Sequence, residues 1–331
     1  MANRLLALLQ QDGPIVADGG MGTMLMSAGL RFGDPPEQWN VLDERRETVR
    51  AIHRSYRDAG AQIVLTNSFG GNPFRLKLYD LQDQVFELNH AAALLAREAV
   101  GEGVAVAGSI GPSGELFEPL GALTDDAAVA GFAAQAAGLA AGGVDALWVE
   151  TMSDLREVRA AVEGARRAAP GLPVVATLTF DTRGFTVMGV SPAEAAAALL
   201  ELGVAAGGGN CGNSPAEMEP VIAGMAAALE DLPAESVVRL VAKSNAGLPE
   251  IIDGRAVYNA TPEVMAEYAR RVRALGAAII GACCGSTPAH IAAMARALRD
   301  LPPRRSPPGW ACRWSCAAPV TARSNPASPR S

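Results

Sequence analysis

The chain has 331 residues, of which 49% are hydrophobic and 19% charged, and its formal net charge is -7. That composition supplies a large core and excludes disorder for most of the chain, while the acidity argues against a nucleic-acid partner, whose binders are basic. The charge is uneven: residues 301–331 hold five Arg and no Asp, Glu or Lys, which leaves -12 on residues 1–300.

From the start of the chain, the apolar run Leu5–Leu9 is too short for the core of a signal peptide. No run approaches the roughly 18 apolar residues of a membrane span. These features predict a cytoplasmic protein with no membrane partner, where thiols stay reduced. Five cysteines, an odd number, also weaken a disulfide framework.

Eight β-rich runs then alternate with longer helical stretches. Ile15–Asp18 precedes a helix over Glu47–Ala59, and Gln62–Asn67 precedes Val85–Val100. Val104–Ser109 leads to Asp125–Ala141, and Ala146–Glu150 to Asp154–Ala168. Val174–Phe180 is followed by Pro192–Leu202, and Val204–Asn210 by Pro215–Leu229. Arg239–Ser244 and Ala277–Gly281 complete the series with Pro262–Leu275 and Pro288–Leu298. Most of the strands are continuous apolar runs, as expected for parallel strands covered on both faces. Ser191, Ser214 and Thr261, each before Pro, read as N-caps. Gly60, Gly142, Gly203 and Gly276 read as left-handed helix ends.

Eight βα units in one chain predict an α/β fold, a (β/α)8 TIM barrel, as a single domain over residues 1–300. Strand order is not readable from one sequence, so a doubly wound open sheet is the alternative. Residues 301–331, rich in Pro, Arg and Ser and without periodicity, read as a disordered extension.

Barrel chemistry sits where strands end at their C-terminal face, and unusual residues fall there. Asp18-Gly19-Gly20 ends the first strand, Thr66-Asn67-Ser68-Phe69 the second and Glu150-Thr151 the fourth. Asn210-Cys211-Gly212 ends the sixth, Ser244-Asn245 the seventh and Cys283-Cys284-Gly285 the eighth. Three thiols converging on one face are a donor set for Zn2+ with one position open. Buried small hydrophobes or a redox pair are the alternatives. His53, His90 and His290 all fall in helical stretches, away from these ends, where packing or solvation is the expected role.

The ordered set Asp18-Gly-Gly-Met-Gly-Thr, Thr66-Asn-Ser-Phe, Gly108-Ser-Ile-Gly-Pro, Gly209-Asn-Cys-Gly and Gly281-Ala-Cys-Cys-Gly-Ser-Thr-Pro resembles the homocysteine S-methyltransferase family. That family takes in betaine–homocysteine methyltransferases and the homocysteine module of cobalamin-dependent methionine synthases. The resemblance covers about residues 10–300. It implies a barrel and a catalytic Zn2+ site at Cys211, Cys283 and Cys284, with the homocysteine sulfur in the fourth position and methionine as product. It further implies that Asp18 and Glu150 bind the substrate ammonium. The amides near Gly19 and Gly20 are placed against its carboxylate, and Asn67, Asn210 and Asn245 beside the substrate, although strand-end asparagines are commonly loop formers. Trp39 and Phe69 are similar to donor-binding aromatics of betaine enzymes, whereas Gly70 stands where animal members have a tyrosine. The donor expected is therefore betaine or a related methylated onium compound. A corrinoid protein carrying the methyl group is the alternative, as is a non-catalytic zinc-binding barrel. A homo-oligomer is left open.

Overall fold

The computed structural model describes residues 3–181, 183–230, 238–252, 255–299 and 301. The tail expected to be disordered lies, apart from Leu301, outside the described residues. Eight parallel strands form one sheet: β1 (Ile15–Val16), β2 (Ile63–Leu65), β3 (Ala105–Ile110), β4 (Ala146–Met152), β5 (Val174–Leu178), β6 (Ala206–Cys211), β7 (Arg239–Ser244) and β10 (Ile279–Ala282). Neighbours follow chain order from β2 to β7, then β10 pairs with both β7 and β1. A parallel bridge between Ala17 and Ile63 brings β1 back to β2 and closes the ring. The doubly wound alternative is thereby excluded, and the barrel is the fold.

Period-two alternation explains how these apolar runs serve two cores. Ile15, Ile63, Leu65, Ala105, Ala107, Trp148, Val175 and Val241 pack together inside the ring. Their neighbours Val16, Val64, Val106, Leu147, Val149 and Ile280 join the core beneath the surrounding helices. Those helices are α3 (Asp43–Asp58), α5 (Val85–Val100), α6 (Asp125–Ala141), α7 (Leu155–Ala168), α8 (Pro192–Glu201), α9 (Pro215–Leu229), α10 (Pro262–Ala274) and α11 (Pro288–Arg299). The side chains of Ser191, Ser214 and Thr261 accept the expected capping hydrogen bonds. Gly60, Gly203 and Gly276 are left-handed, but Gly142 is not: φ becomes positive one residue later, at Gly143. Gly142 instead meets the neighbouring helix, where a Cβ would fall 2.4 Å from that of Ala93.

Two features lie outside the βα alternation. Helix α1 (Arg4–Leu9) caps the N-terminal end of the ring, with Leu5 and Leu9 packed into the interior core. An antiparallel hairpin, β8 (Pro249–Ile252) with β9 (Arg255–Tyr258), lies between β7 and α10. Short segments α2 (Met21–Ser27) and α4 (Pro73–Leu76) follow β1 and β2 at the opposite end from α1. No helix among the described residues is long and apolar enough to cross a membrane.

Candidate active site

The inward alternation that builds the core continues into the site. Ser109 lies two residues beyond Ala107, Glu150 two beyond Trp148 and Lys243 two beyond Val241, so all three share the inward face of their strands. At this level the interior turns polar, and Asp18, Ser109, Glu150, Asn210 and Lys243 are all buried.

Above them the three predicted thiols meet. The Sγ atoms of Cys211, Cys283 and Cys284 lie within 4.8 Å of one another, and no other such cluster of potential metal ligands occurs among the described residues. Cys211 ends β6 with φ at 61°, a left-handed conformation that a non-Gly residue adopts at a cost of about 1–3 kcal/mol. The paired cysteines follow β10. Asn245 ties the two segments together: its N–H donates to the Cys211 carbonyl at 3.2 Å, its Nδ2 to the Gly212 carbonyl at 2.5 Å, and its Oδ1 accepts from the Cys284 N–H at 2.9 Å. The Cys283 N–H donates to the Ser244 carbonyl at 2.8 Å. Hydrogen bonds from Cys211 and Cys283 favour a thiolate on Cys284, pushing it down to about 3, while the Cys211 thiol is held up by its contacts with Cys283 and Cys284 and by burial. Three sulfurs at this spacing fit one thiophilic, tetrahedral ion with a fourth position open.

Residues that sequence reasoning missed hold the Cys283–Ser286 turn. Tyr56 of α3 hydrogen-bonds the carbonyls of Gly20 and Ser286, at 3.1 and 3.2 Å. The Ser286 hydroxyl donates to the Cys283 carbonyl at 2.7 Å and accepts from the Gly20 N–H at 3.0 Å. Gly19 must be glycine because a Cβ there would lie 2.4 Å from Ser286 Oγ. The Gly20 amide is therefore engaged within the chain. Tyr258, at the end of β9, covers the same turn: a Cβ on Gly285 would fall 2.0 Å from its ring.

The predicted carboxylates differ from one another. Asp18 accepts from Lys243 Nζ at 2.8 Å through Oδ1 and from the Leu65 N–H at 2.7 Å through Oδ2. Burial pushes its carboxyl up, opposed by Lys243. Burial lowers and the carboxylates of Asp18 and Glu150 raise the affinity of Lys243 for its proton, and the carboxylates prevail. Glu150 accepts a short hydrogen bond from Ser109 Oγ, and burial lifts its carboxyl to about 7. Lys243 was hidden in the sequence inside a strand; a charge within an apolar run was the available signal.

The asparagines are committed to the scaffold. Asn210 Oδ1 accepts from the Thr151 N–H at 2.8 Å and its Nδ2 donates to Thr151 Oγ1 at 2.7 Å, holding a residue whose φ is 61°. Asn67 Nδ2 donates to the Pro36 carbonyl at 2.8 Å and to Asn40 Oδ1 at 3.1 Å. Of the two expected donor aromatics, Trp39 is only 5% exposed, and the Arg45 guanidinium lies 4.5 Å from its ring. Phe69, 42% exposed, lies on the rim against Gly111. His53 and His290 pack within the helical layer and His90 stacks on Phe86, as expected.

Residues 15–298 match the family model described as Homocysteine S-methyltransferase. The chain belongs to the homocysteine S-methyltransferase family. Family membership accords with the barrel and with the thiol cluster at its mouth. The methionine synthase of Mycobacterium tuberculosis is 36% identical over an alignment of 313 residues that covers 90% of this chain and 25% of that protein. That of Mycobacterium leprae is 35% identical, over 86% and 24%. The chain thus spans about a quarter of the length of these relatives. Among solved structures, the Escherichia coli homocysteine methyltransferase MmuM in its metallated form superposes with a TM-score of 0.71 at 27% identity, covering 89% of this chain and 99% of that one. Its oxidized form gives the same score at 26% identity.

Proposed function

We propose that this chain methylates the sulfur of homocysteine to give methionine, with Zn2+ held by Cys211, Cys283 and Cys284 and with betaine or a related small onium compound as methyl donor. The observation that carries the reading is the convergence of three thiols from β6 and the turn after β10. Bound there, Zn2+ supplies the acidity that keeps a substrate thiol in its nucleophilic thiolate form at neutral pH.

The chain's own residues do the rest. Asn245 fixes the spacing of the thiol ligands, and the Tyr56–Ser286 contacts hold the turn that carries two of them. Glu150 is the acceptor for the substrate ammonium: with its carboxyl at about 7, an arriving cation draws it fully into the ionised form. The expected displacement forms a bond from sulfur to methyl carbon as the carbon–nitrogen bond of the onium breaks. The leaving amine departs with that electron pair as a neutral group. Burial leaves Trp39 little surface for a ligand, so Phe69 on the rim is the aromatic proposed to meet the donor's cationic end.

The likeness to methionine synthases favours a second reading, in which a separate corrinoid protein brings the methyl group. Purified protein incubated with homocysteine and, in turn, betaine, a dimethylsulfonio compound, S-methylmethionine and methylcobalamin separates the readings. Methionine from an onium donor supports the first and methionine from methylcobalamin alone the second. No methionine from any of them leaves a non-catalytic metal-binding barrel.

A further inference from the structure

Lys243 has no part in the chemistry above, yet it brings a buried positive charge to the floor of the site. Its side chain is 3% exposed. Asp18 is its only side-chain hydrogen-bond partner among the described residues, and the Trp148 ring lies 5.4 Å from Nζ. An ammonium carries three N–H donors, so two are uncommitted. Leaving them so in a buried position is unfavourable unless another group accepts them. Asp18, meanwhile, has one oxygen on Lys243 and the other on the Leu65 amide, whereas among the described residues Glu150 has only the Ser109 hydroxyl.

Resting on the reading under Proposed function, we infer that Lys243 is a specificity residue of the amino-acid pocket, offering its uncommitted N–H donors to the substrate's α-carboxylate. By pairing with Asp18 it also withdraws that carboxylate from ammonium binding, which falls to Glu150. The pocket then answers both charges of a zwitterion with side chains of opposite sign. A thiol that lacks either charge leaves one buried group without its partner, which is the strongest form of discrimination a polar site offers.

The test compares equilibrium binding of homocysteine with that of 3-aminopropane-1-thiol, which lacks only the carboxylate, to the metal-loaded protein. The native chain is expected to prefer homocysteine by about ten- to hundredfold, the range for hydrogen bonds to charged groups. Lys243→Met is expected to abolish most of that preference by weakening homocysteine alone, and Lys243→Arg to restore part of it. Because Lys243→Met strands the Asp18 charge, the Asp18→Asn, Lys243→Met double variant is measured beside it, with the same expectation. Equal weakening of both thiols, or an unchanged preference, would overturn the inference and leave Lys243 a structural ion pair. Absence of homocysteine binding by the native chain would instead overturn the functional reading on which it rests.

Discussion

The two ends of the barrel use polar residues in opposite ways. At the N-terminal end, Arg4 and Arg97 both pair with Asp145, whose Oδ2 also accepts from the Val106 N–H at 2.8 Å. Arg239 donates to the carbonyl of Leu9 at 3.0 Å, and α1 closes the interior with Leu5 and Leu9. The charges there sit at the edge and fasten a plug. At the C-terminal end Asp18, Glu150 and Lys243 are buried in the interior itself, three thiols crowd together, and Thr151 and Cys211 both hold positive φ. One end is arranged for stability. The other carries ionisable groups and backbone strain that a merely stable barrel has no need of, the pattern expected where chemistry is done.

Substitutions sharpen this contrast, and the largest effect belongs to the thiols. Cys283→Ala with Cys284→Ala is expected to bring bound zinc below about a tenth of an equivalent and to lower turnover by at least about a thousandfold, since one ligand remains of three. Elemental analysis beside methionine assays checks this, and normal zinc content would refute the assignment. Leu5→Ala, at the opposite end, is expected to cost about 2–5 kcal/mol in urea unfolding, because α1 leaves a cavity beneath it. The folded fraction should keep its zinc and its kinetics. If zinc were lost as well, the two ends would be coupled.

Glu150→Gln gives the smallest effect and the most telling sign. The Glu150 carboxyl stands at about 7 in the folded chain against an ordinary 4.5. A group raised in this way favours the folded state below 4.5 and loses that contribution as pH rises through 7. At pH 8 the native chain therefore forgoes up to about 3 kcal/mol. The glutamine variant, which keeps an acceptor for Ser109, should unfold at higher urea than the native protein at pH 8 and differ little at pH 4. Homocysteine binding should weaken by about 1.5–3 kcal/mol in the same variant. A variant that loses stability at pH 8 would show that Glu150 belongs to the scaffold.

The eight strands were legible because burial on both faces writes most of them as continuous apolar runs, and the thiols because all three sit where strands stop. Helix α1 is not legible in the sequence, since six residues are too few for a helical period to stand out. Nor is the β8–β9 hairpin, its strands being four residues each in a stretch that reads as a loop. At the site, local spacing placed residues at the correct end of the barrel without telling what they touch. Asn67 and Asn210 look in the sequence like substrate contacts, yet in the fold Asn67 is hydrogen-bonded to Pro36 and Asn40 and Asn210 to Thr151 of the neighbouring strand β4. Lys243 and Asp18 form a pair between β7 and the end of β1 that only the closed ring brings together.

Ring closure has a consequence for the making of the protein. Strand β10 is the last to be synthesised, and it alone joins β7 to β1 while leading into Cys283 and Cys284. A nascent chain that has emerged only as far as β7 carries Cys211 as a solitary thiol on an open sheet. A product that stops short of Cys283 therefore never assembles the three-thiol cluster, and on the reading under Proposed function it has no site for the ion.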